Sequence, residues 1–258
     1  MSKRFRDIVR NYAATMAFLL SGWFFYSYSP HFAEYFSGRN AFGISGWTIV
    51  TRDAFFWIVI AYAAVLLPYY YFETEESSAS KFLRGIFRKR FDEEWKKSAR
   101  TLALKGFFAP LMVGWLISHA GETVTGFERI FLTGEFEWAA LETVPFFVFA
   151  FQAVLFADVF FFTAGYLMEG GIWKNRIVSV DPTVSGWVVC LLCYPPFNGG
   201  TEDFIGWYSS DHPMLPNSPE LTTVLNFLII GLMAVYAWAS VALGWKASNL
   251  TNRGIVSK

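Results

Sequence analysis

The sequence predicts an all-α polytopic membrane protein. Of its 258 residues, 54% are hydrophobic and only 16% are charged, whereas a soluble domain carries about 25% charged residues. The apolar residues are gathered into long runs, which are typical of membrane spans rather than of a large soluble core. The net charge is zero, so overall charge points to no partner, and we expect no nucleic-acid binding.

Six apolar runs predict about six transmembrane helices in a single membrane domain. They cover residues 11–29, 54–72, 102–119, 144–168, 182–194 and 221–245. Five of them can cross about 30 Å of hydrocarbon at about 1.5 Å per residue. The fifth run is short, because Asp181 and Pro182 favour a helix start and Pro195 and Pro196 a stop. A re-entrant segment is the alternative for this run.

The distribution of basic residues predicts the orientation. Six crossings with both termini inside place 18 of the 21 lysines and arginines on one side, and basic loops prefer the cytoplasm. We therefore expect a multi-pass integral membrane protein with cytoplasmic N- and C-termini, in the inner membrane if the source is bacterial. Residues 1–29 do not fit a signal peptide, because large aromatic residues stand where a cleavage site has small ones.

Residues 81–100 predict a basic amphipathic helix in the membrane interface. Leu83, Phe87, Phe91 and Trp95 recur every four residues among lysines and arginines. This pattern is typical of a helix held by apolar burial and by anionic headgroups. It fits either a simple anchor or the recognition of a lipid-bearing substrate.

Asp158 is the candidate intramembrane polar residue, near the middle of the fourth predicted span. An ionisable group at that depth faces protein or water rather than lipid. Two interpretations remain open: Asp158 contacts a proton or a substrate, or it forms hydrogen bonds that hold helices together. Gln152 lies about 120° away around the helix, so we do not expect the two to act together.

The cysteines and histidines predict no metal site. Cys190 and Cys193 form C-x-x-C within an apolar run, where packing is the expected role. The spacing of the three histidines and Glu122 matches no zinc-ligand pattern, so they are expected to be solvated loop residues. These histidines are His31, His119 and His212. No phosphate loop, dinucleotide fingerprint or zinc-protease motif is present.

The stretch SNLTNRGIVSK, residues 248–258, resembles a segment of the isoprenylcysteine carboxyl methyltransferase and phospholipid methyltransferase superfamily. In these membrane enzymes a span leads into R-G-I-V-like residues and then into a run like G-P-Y-R-x-x-R-H-P-x-Y, which opens the S-adenosylmethionine site. The resemblance implies cofactor-binding roles for Asn249, Arg253 and Gly254, an S-adenosylmethionine cofactor, contact with membrane lipids, and a lipid-like or isoprenylcysteine-type acceptor.

The sequence ends at Lys258, before that run, and R-H-P-x-Y does not occur. We therefore expect residues 246–258 to be a cytoplasmic lead-in to a catalytic segment that this chain lacks, and the catalytic residues stay unassigned. The first hypothesis is the truncated membrane portion of an S-adenosylmethionine-dependent methyltransferase. The alternative is a non-catalytic multi-span protein, either a transporter component or a lipid-binding scaffold. The sequence indicates neither the acceptor nor the oligomeric state.

Overall fold

Helices dominate the computed structural model, which describes residues 2–30, 32, 39–42, 47–132, 144–170, 174–194, 197–198, 204, 218–246 and 248–253. In these residues the α-helices are α1 Lys3–Tyr28, α2 Thr51–Phe72, α3 Ser78–Phe87, α4 Glu93–Phe127, α5 Val144–Leu167, α6 Val184–Leu191 and α7 Pro219–Leu243. The short antiparallel strand pairs are β1 Arg39–Phe42 with β2 Trp47–Val50, and β3 Ser179–Val180 with β4 Thr251–Asn252.

Four helical stretches are long and apolar enough to cross a membrane. They are Thr51–Phe72, Glu93–Leu132, Pro145–Leu167 and Pro219–Leu243, and they coincide with the second, third, fourth and sixth predicted spans. The class of an all-α multi-pass membrane protein is thus supported, but the prediction of six spanning helices is corrected to four among the described residues.

The first predicted span, residues 11–29, falls in α1, which is long enough but less apolar than the other four. Its first turns carry lysine and arginine, and Asn11, Ser21 and Ser27 lie further along. It nevertheless runs antiparallel to α2 over much of the length of α2. The Thr15 and Tyr70 hydroxyls are 2.8 Å apart near one end of the pair, and the Trp23 indole donates to the Arg52 carbonyl near the other.

The fifth predicted span, residues 182–194, is wrong as a crossing helix. Its helix α6 has eight residues, which is about 12 Å. The Asp181 amide donates to the Leu250 carbonyl, and beyond α6 the Phe197 ring stacks on Phe107. Both contacts lie near the end of the bundle where α5 finishes, so Asp181 and Phe197 lie at the same end, which fits the re-entrant alternative.

Helices α5 and α7 are parallel, which fixes where the end of the described chain lies. Phe146 contacts Phe227 near the start of both helices, and Ser240 bonds to Asp158 further along. Strand β4, after α7, then pairs with β3, after α5. The chain end therefore stays at the same end of the bundle as the end of α5. The return from Phe197 to Ser218 falls almost wholly outside the described residues.

The predicted interfacial helix, residues 81–100, is corrected to two helices, α3 and the start of α4, separated by a turn. Lys89 adopts a positive φ of 51°, and the Asp92 side chain caps α4 by accepting from the Trp95 amide. The Phe82 and Trp95 rings stack against each other instead of facing lipid. Phe87, the last residue of α3 before the turn, is 82% exposed.

Helices α4 and α5 form the centre of the bundle as an antiparallel pair. Phe108 stacks on Tyr166, the Thr163 hydroxyl donates to the Met112 carbonyl, and Phe131 contacts Phe149 at the far end. The main cluster of buried apolar residues joins these two helices to β3. This pair therefore forms the rigid frame on which the candidate site is built.

Candidate functional site

Arg253 lies buried behind the end of α5, with 5% of its surface exposed. Its Nη1 donates to Asn175 Oδ1 at 2.6 Å, its Nη2 to the Gly165 carbonyl at 2.8 Å, and its Nε to the Ser248 hydroxyl at 2.7 Å. Burial lowers the pKa of the guanidinium, while the nearby Glu169 carboxylate opposes this shift. The group stays charged, and these bonds offset its desolvation.

Asn249 is held in the same way by neighbouring aromatic residues. Its backbone amide donates to the Tyr166 hydroxyl at 2.8 Å, and its side-chain amide donates to the Tyr194 hydroxyl at 2.6 Å. The structure therefore brings together two of the three residues that the resemblance assigned to the cofactor, Asn249 and Arg253. Gly254 lies outside the described residues. The assignment of all three to a cofactor stays a prediction.

A cavity of about 1520 Å³ lies between α1, α2, α4 and α5. Its length is lined by apolar side chains, among them Phe18, Leu66, Leu102 and Leu167. Small-molecule pockets usually measure about 300–1,000 Å³. The cavity is therefore large enough for a long amphiphilic molecule.

One end of this cavity is charged and the rest is not. All of the charged lining residues come from the segment between α2 and α3, from α3, from the first part of α4, or from the segment after α5. They are Glu73, Glu75, Glu76, Lys81, Glu94, Lys97, Lys105, Glu169 and Arg176. This is the same end of the bundle at which Arg253 and β4 lie.

The charged end is built around an ion pair and a tyrosine. Lys105 and Glu169 approach within 2.5 Å, with side chains 18% and 22% exposed. Burial acts to raise the pKa of Glu169, but Lys105, Arg253 and a hydrogen bond from the Ile177 backbone together outweigh it, so this pKa lies below its ordinary value. The Tyr69 hydroxyl donates to the Glu169 carbonyl at 2.6 Å and contacts the buried Glu73 carboxylate.

Gly170 allows this arrangement because it has no side chain. Its φ is +148°, a conformation that is essentially confined to glycine. A Cβ atom there would lie 1.9 Å from the Tyr69 hydroxyl oxygen and 2.9 Å from Glu73 Oε2. Gly170 therefore permits the close approach of α2 to the segment after α5.

Asp158 lies away from the cavity, on the side of α5 that faces α7. Its carboxylate accepts a hydrogen bond from the Ser240 hydroxyl and lies near Tyr236, and it is not among the cavity-lining residues. Gln152 bonds instead to the His119 ring at 2.6 Å. Of the two interpretations of Asp158, this placement favours the one in which it holds helices together.

Replacing Asp158 with alanine is expected to destabilise the α5–α7 pair by about 1–3 kcal/mol, because the buried Ser240 hydroxyl loses its acceptor. Since Asp158 does not line the cavity, ligand affinity there should stay unchanged. Thermal unfolding of the purified variant and binding of a cavity ligand measure the two effects. Normal stability together with lost binding would instead identify Asp158 as a ligand contact.

The remaining candidates from the sequence form no metal site in the part of the chain that the structure describes. No group of three or more His, Cys, Asp or Glu residues there could hold a metal ion. Cys190 packs against the main buried cluster and Cys193 is exposed. His31 and His212 lie outside the described residues.

Sequence reasoning missed the charged end of the cavity. Tyr69, Glu73 and Gly170 come from separate segments and match no motif. The sequence offered two weak signals. Lys105 lies near the start of the third predicted span, and Glu169 and Gly170 follow the fourth. Neither signal indicates which partner lies opposite in the fold.

Comparison with known proteins adds no assignment. No family model matches the chain, and no curated protein or solved structure matches it.

Proposed function

We propose that this protein binds a lipid-like acceptor in the cavity between α1, α2, α4 and α5, as the membrane portion of an S-adenosylmethionine-dependent methyltransferase. The observation that carries the proposal is the cavity itself, which has an apolar length and a single charged end. A molecule that matches it has a hydrocarbon chain and one polar head. Burial of the chain provides the main favourable contribution, and the head is oriented by a few polar groups.

The charged end suits an acceptor head that must meet a water-soluble reagent. It lies where α2 and α5 end, at the margin of the apolar helical segments. Lys105, Glu169 and Tyr69 can contact the head there and exclude the chain. Bound S-adenosylmethionine would supply a methyl group to such a head, and the resemblance of residues 248–258 supports this chemistry.

The described residues do not themselves fit a methyl-donor site. Asn249 and Arg253 direct their polar groups to Tyr166, Tyr194, Asn175 and Gly165. We therefore derive no step through the donor and assign these residues to holding the chain in place.

The same contacts favour a second candidate, a non-catalytic lipid-binding scaffold. Calorimetric titration of the full-length natural protein, including any residues that follow Lys258, with S-adenosylmethionine distinguishes the two. Saturable binding supports the methyltransferase, whereas an absence of binding at millimolar donor favours the scaffold. Both candidates keep the acceptor cavity.

Native mass spectrometry of the delipidated full chain tests acceptor binding. The probes are N-acetyl-S-farnesylcysteine and dioleoyl phosphatidylethanolamine, added separately. We expect one molecule of at least one probe to bind per chain. If neither binds above the level of a control membrane protein, the proposal is wrong.

Two glycines provide a matched pair of variants for this experiment. Added Cβ atoms at Gly22 and at Gly231 meet nothing within 4 Å, but only Gly22 lines the cavity. Gly22→Leu is therefore expected to weaken probe binding about ten-fold through overpacking. Gly231→Leu should leave the affinity unchanged. An equal loss of probe affinity in both variants would show that the probe binds outside the cavity.

The proposal includes an orientation in which the charged end faces the cytoplasm, with α1 crossing beside α2 and with cytoplasmic termini. Basic residues at this end that make no ion pair among the described residues, such as Lys89 and Lys97, support it by the positive-inside rule. In a variant lacking Cys190 and Cys193, Lys89→Cys should react with a membrane-impermeant maleimide only from the cytoplasmic side. Glu220→Cys, at the start of α7, should react only from outside. Labelling of both from one side contradicts the orientation.

A further inference from the structure

Residues 248–253, here the C-terminal segment, hold the stretch of chain that follows α5. Arg253 bonds to the Gly165 carbonyl and to Asn175. Asn175 in turn bonds to the Met168 carbonyl and pairs with the Gly170 backbone in both directions. The contacts of the C-terminal segment therefore fix residues 163–170 and 174–178, here called the cavity wall.

The other side of the cavity wall lines the cavity. Thr163, Leu167, Glu169 and Gly170 all border it, and so do Tyr166 and Val178. Tyr166 and Val178 also contact the C-terminal segment. The Tyr166 hydroxyl accepts from the Asn249 amide, and the Val178 amide donates to the Asn252 carbonyl. Arg253 itself is not among the cavity-lining residues. One thin stretch of backbone thus separates the cavity from the C-terminal segment.

We propose that filling of the cavity and docking of the C-terminal segment are thermodynamically coupled through this wall. The inference rests on the proposed acceptor-binding function and gives that site a regulator. A ligand that packs against the wall restricts its motion, so the C-terminal segment then docks on a surface already ordered. Coupling of two binding equilibria is reciprocal, so docking strengthens ligand binding by the same factor.

Arg253 is in this scheme a positioning residue, because it acts on the ligand only through the wall. Its bond to the Gly165 carbonyl satisfies one of the acceptors left free at the end of α5. The bonds of Asn175 then place Gly170 beneath Tyr69, and Glu169 opposite Lys105. Release of Arg253 therefore loosens the residues that orient the head of the ligand.

Trypsin cleavage after Arg253 measures undocking directly, because the protease must take up a side chain that is buried when docked. The full chain is digested in detergent with and without saturating N-acetyl-S-farnesylcysteine, or phosphatidylethanolamine if that probe binds instead. We expect the probe to slow this cleavage about five-fold or more, the lower range of allosteric coupling. Cleavage at Lys89, in the exposed α3–α4 turn, is the internal reference and should not change.

Asn175→Ala tests reciprocity by removing the bond from Arg253 Nη1. It should speed cleavage after Arg253 and weaken probe binding by a similar factor. Ser248→Ala removes one acceptor of Arg253 Nε and serves as a milder variant, should Asn175→Ala fail to fold. Lys246→Ala, whose side chain makes no ion pair among the described residues, is the control and should change neither quantity.

The outcomes separate this inference from the proposed function. Bound probe with an unchanged cleavage rate after Arg253 overturns the coupling and leaves acceptor binding intact. Variants that speed cleavage but keep full affinity also overturn it. Absence of probe binding in the unmodified chain removes both proposals.

Discussion

Replacing Arg253 with alanine is expected to lower the thermal unfolding midpoint of the purified protein by roughly 6–12 °C. The truncation leaves Asn175 Oδ1 and the Gly165 carbonyl without their charged donor in a buried site. Loss of a charged hydrogen bond costs about 1.5–3 kcal/mol, and about 3 kcal/mol in total corresponds to this shift at about 2–4 °C per kcal/mol. Differential scanning fluorimetry in one fixed detergent measures the midpoint.

Arg253→Lys and Lys246→Ala are the controls for this result. Lysine keeps the charge but cannot donate to Asn175, Gly165 and Ser248 together, so an intermediate midpoint is expected. Lys246→Ala should unfold like the unmodified protein. An Arg253→Ala midpoint within 1–2 °C of the unmodified value, below the roughly 2–4 °C expected per kcal/mol, would mean that the buried network contributes little.

Gly170→Ala is expected to weaken acceptor binding at least about ten-fold and to destabilise the protein by about 2–4 kcal/mol. Alanine at a φ of +148° is strained, and its Cβ displaces the Tyr69 hydroxyl from the Glu169 carbonyl. Chemical denaturation in mixed micelles and native mass spectrometry with the bound probe measure the two effects.

A double variant identifies the clash as the cause. Tyr69→Phe removes the oxygen that the alanine Cβ would meet, so Gly170→Ala combined with Tyr69→Phe should be less destabilised than the sum of the single variants. Gly231→Ala, an open position in α7, should be neutral or slightly stabilising. Strict additivity of the pair would show that backbone strain, and not the contact with Tyr69, dominates.

The spans that sequence reasoning identified correctly are those in which apolarity alone is sufficient. Helices α2, α4, α5 and α7 carry long apolar stretches, and length and composition determine whether a helix can cross. The short run around Cys190 has the composition of a span but not its length. The contacts of Asp181 and Phe197 that return it to one end are tertiary.

The error over residues 81–100 has a different cause. A four-residue apolar repeat indicates a buried helix face, but it does not distinguish lipid from protein as the covering surface. Here Trp95 stacks on Phe82, and Asp92 starts a new helix within the repeat. An N-cap residue inside a predicted helix was the local signal for the break.

Sequence reasoning pointed to residues that lie near the cavity, and their cofactor-binding role stays a prediction. The C-terminal motif drew attention to Asn249 and Arg253, and both prove to be anchored residues beside the cavity. The cavity combines side chains from five helices and two connecting segments. A single sequence gives the faces of each helix but not which faces meet, so the pairing of Lys105 with Glu169 could not be predicted.

Photo-crosslinking with a lipid probe shows directly which residues contact a bound acceptor. A diazirine on the hydrocarbon chain of the probe that binds labels the full chain, and peptide mass spectrometry locates the adducts. If the acceptor binds in the cavity, we expect adducts on cavity-lining residues such as Phe18, Leu66 and Leu102. The yield of these adducts should be lower in Gly22→Leu. Adducts confined to the outward face of α7, at residues such as Val224 and Leu232, would contradict binding in the cavity.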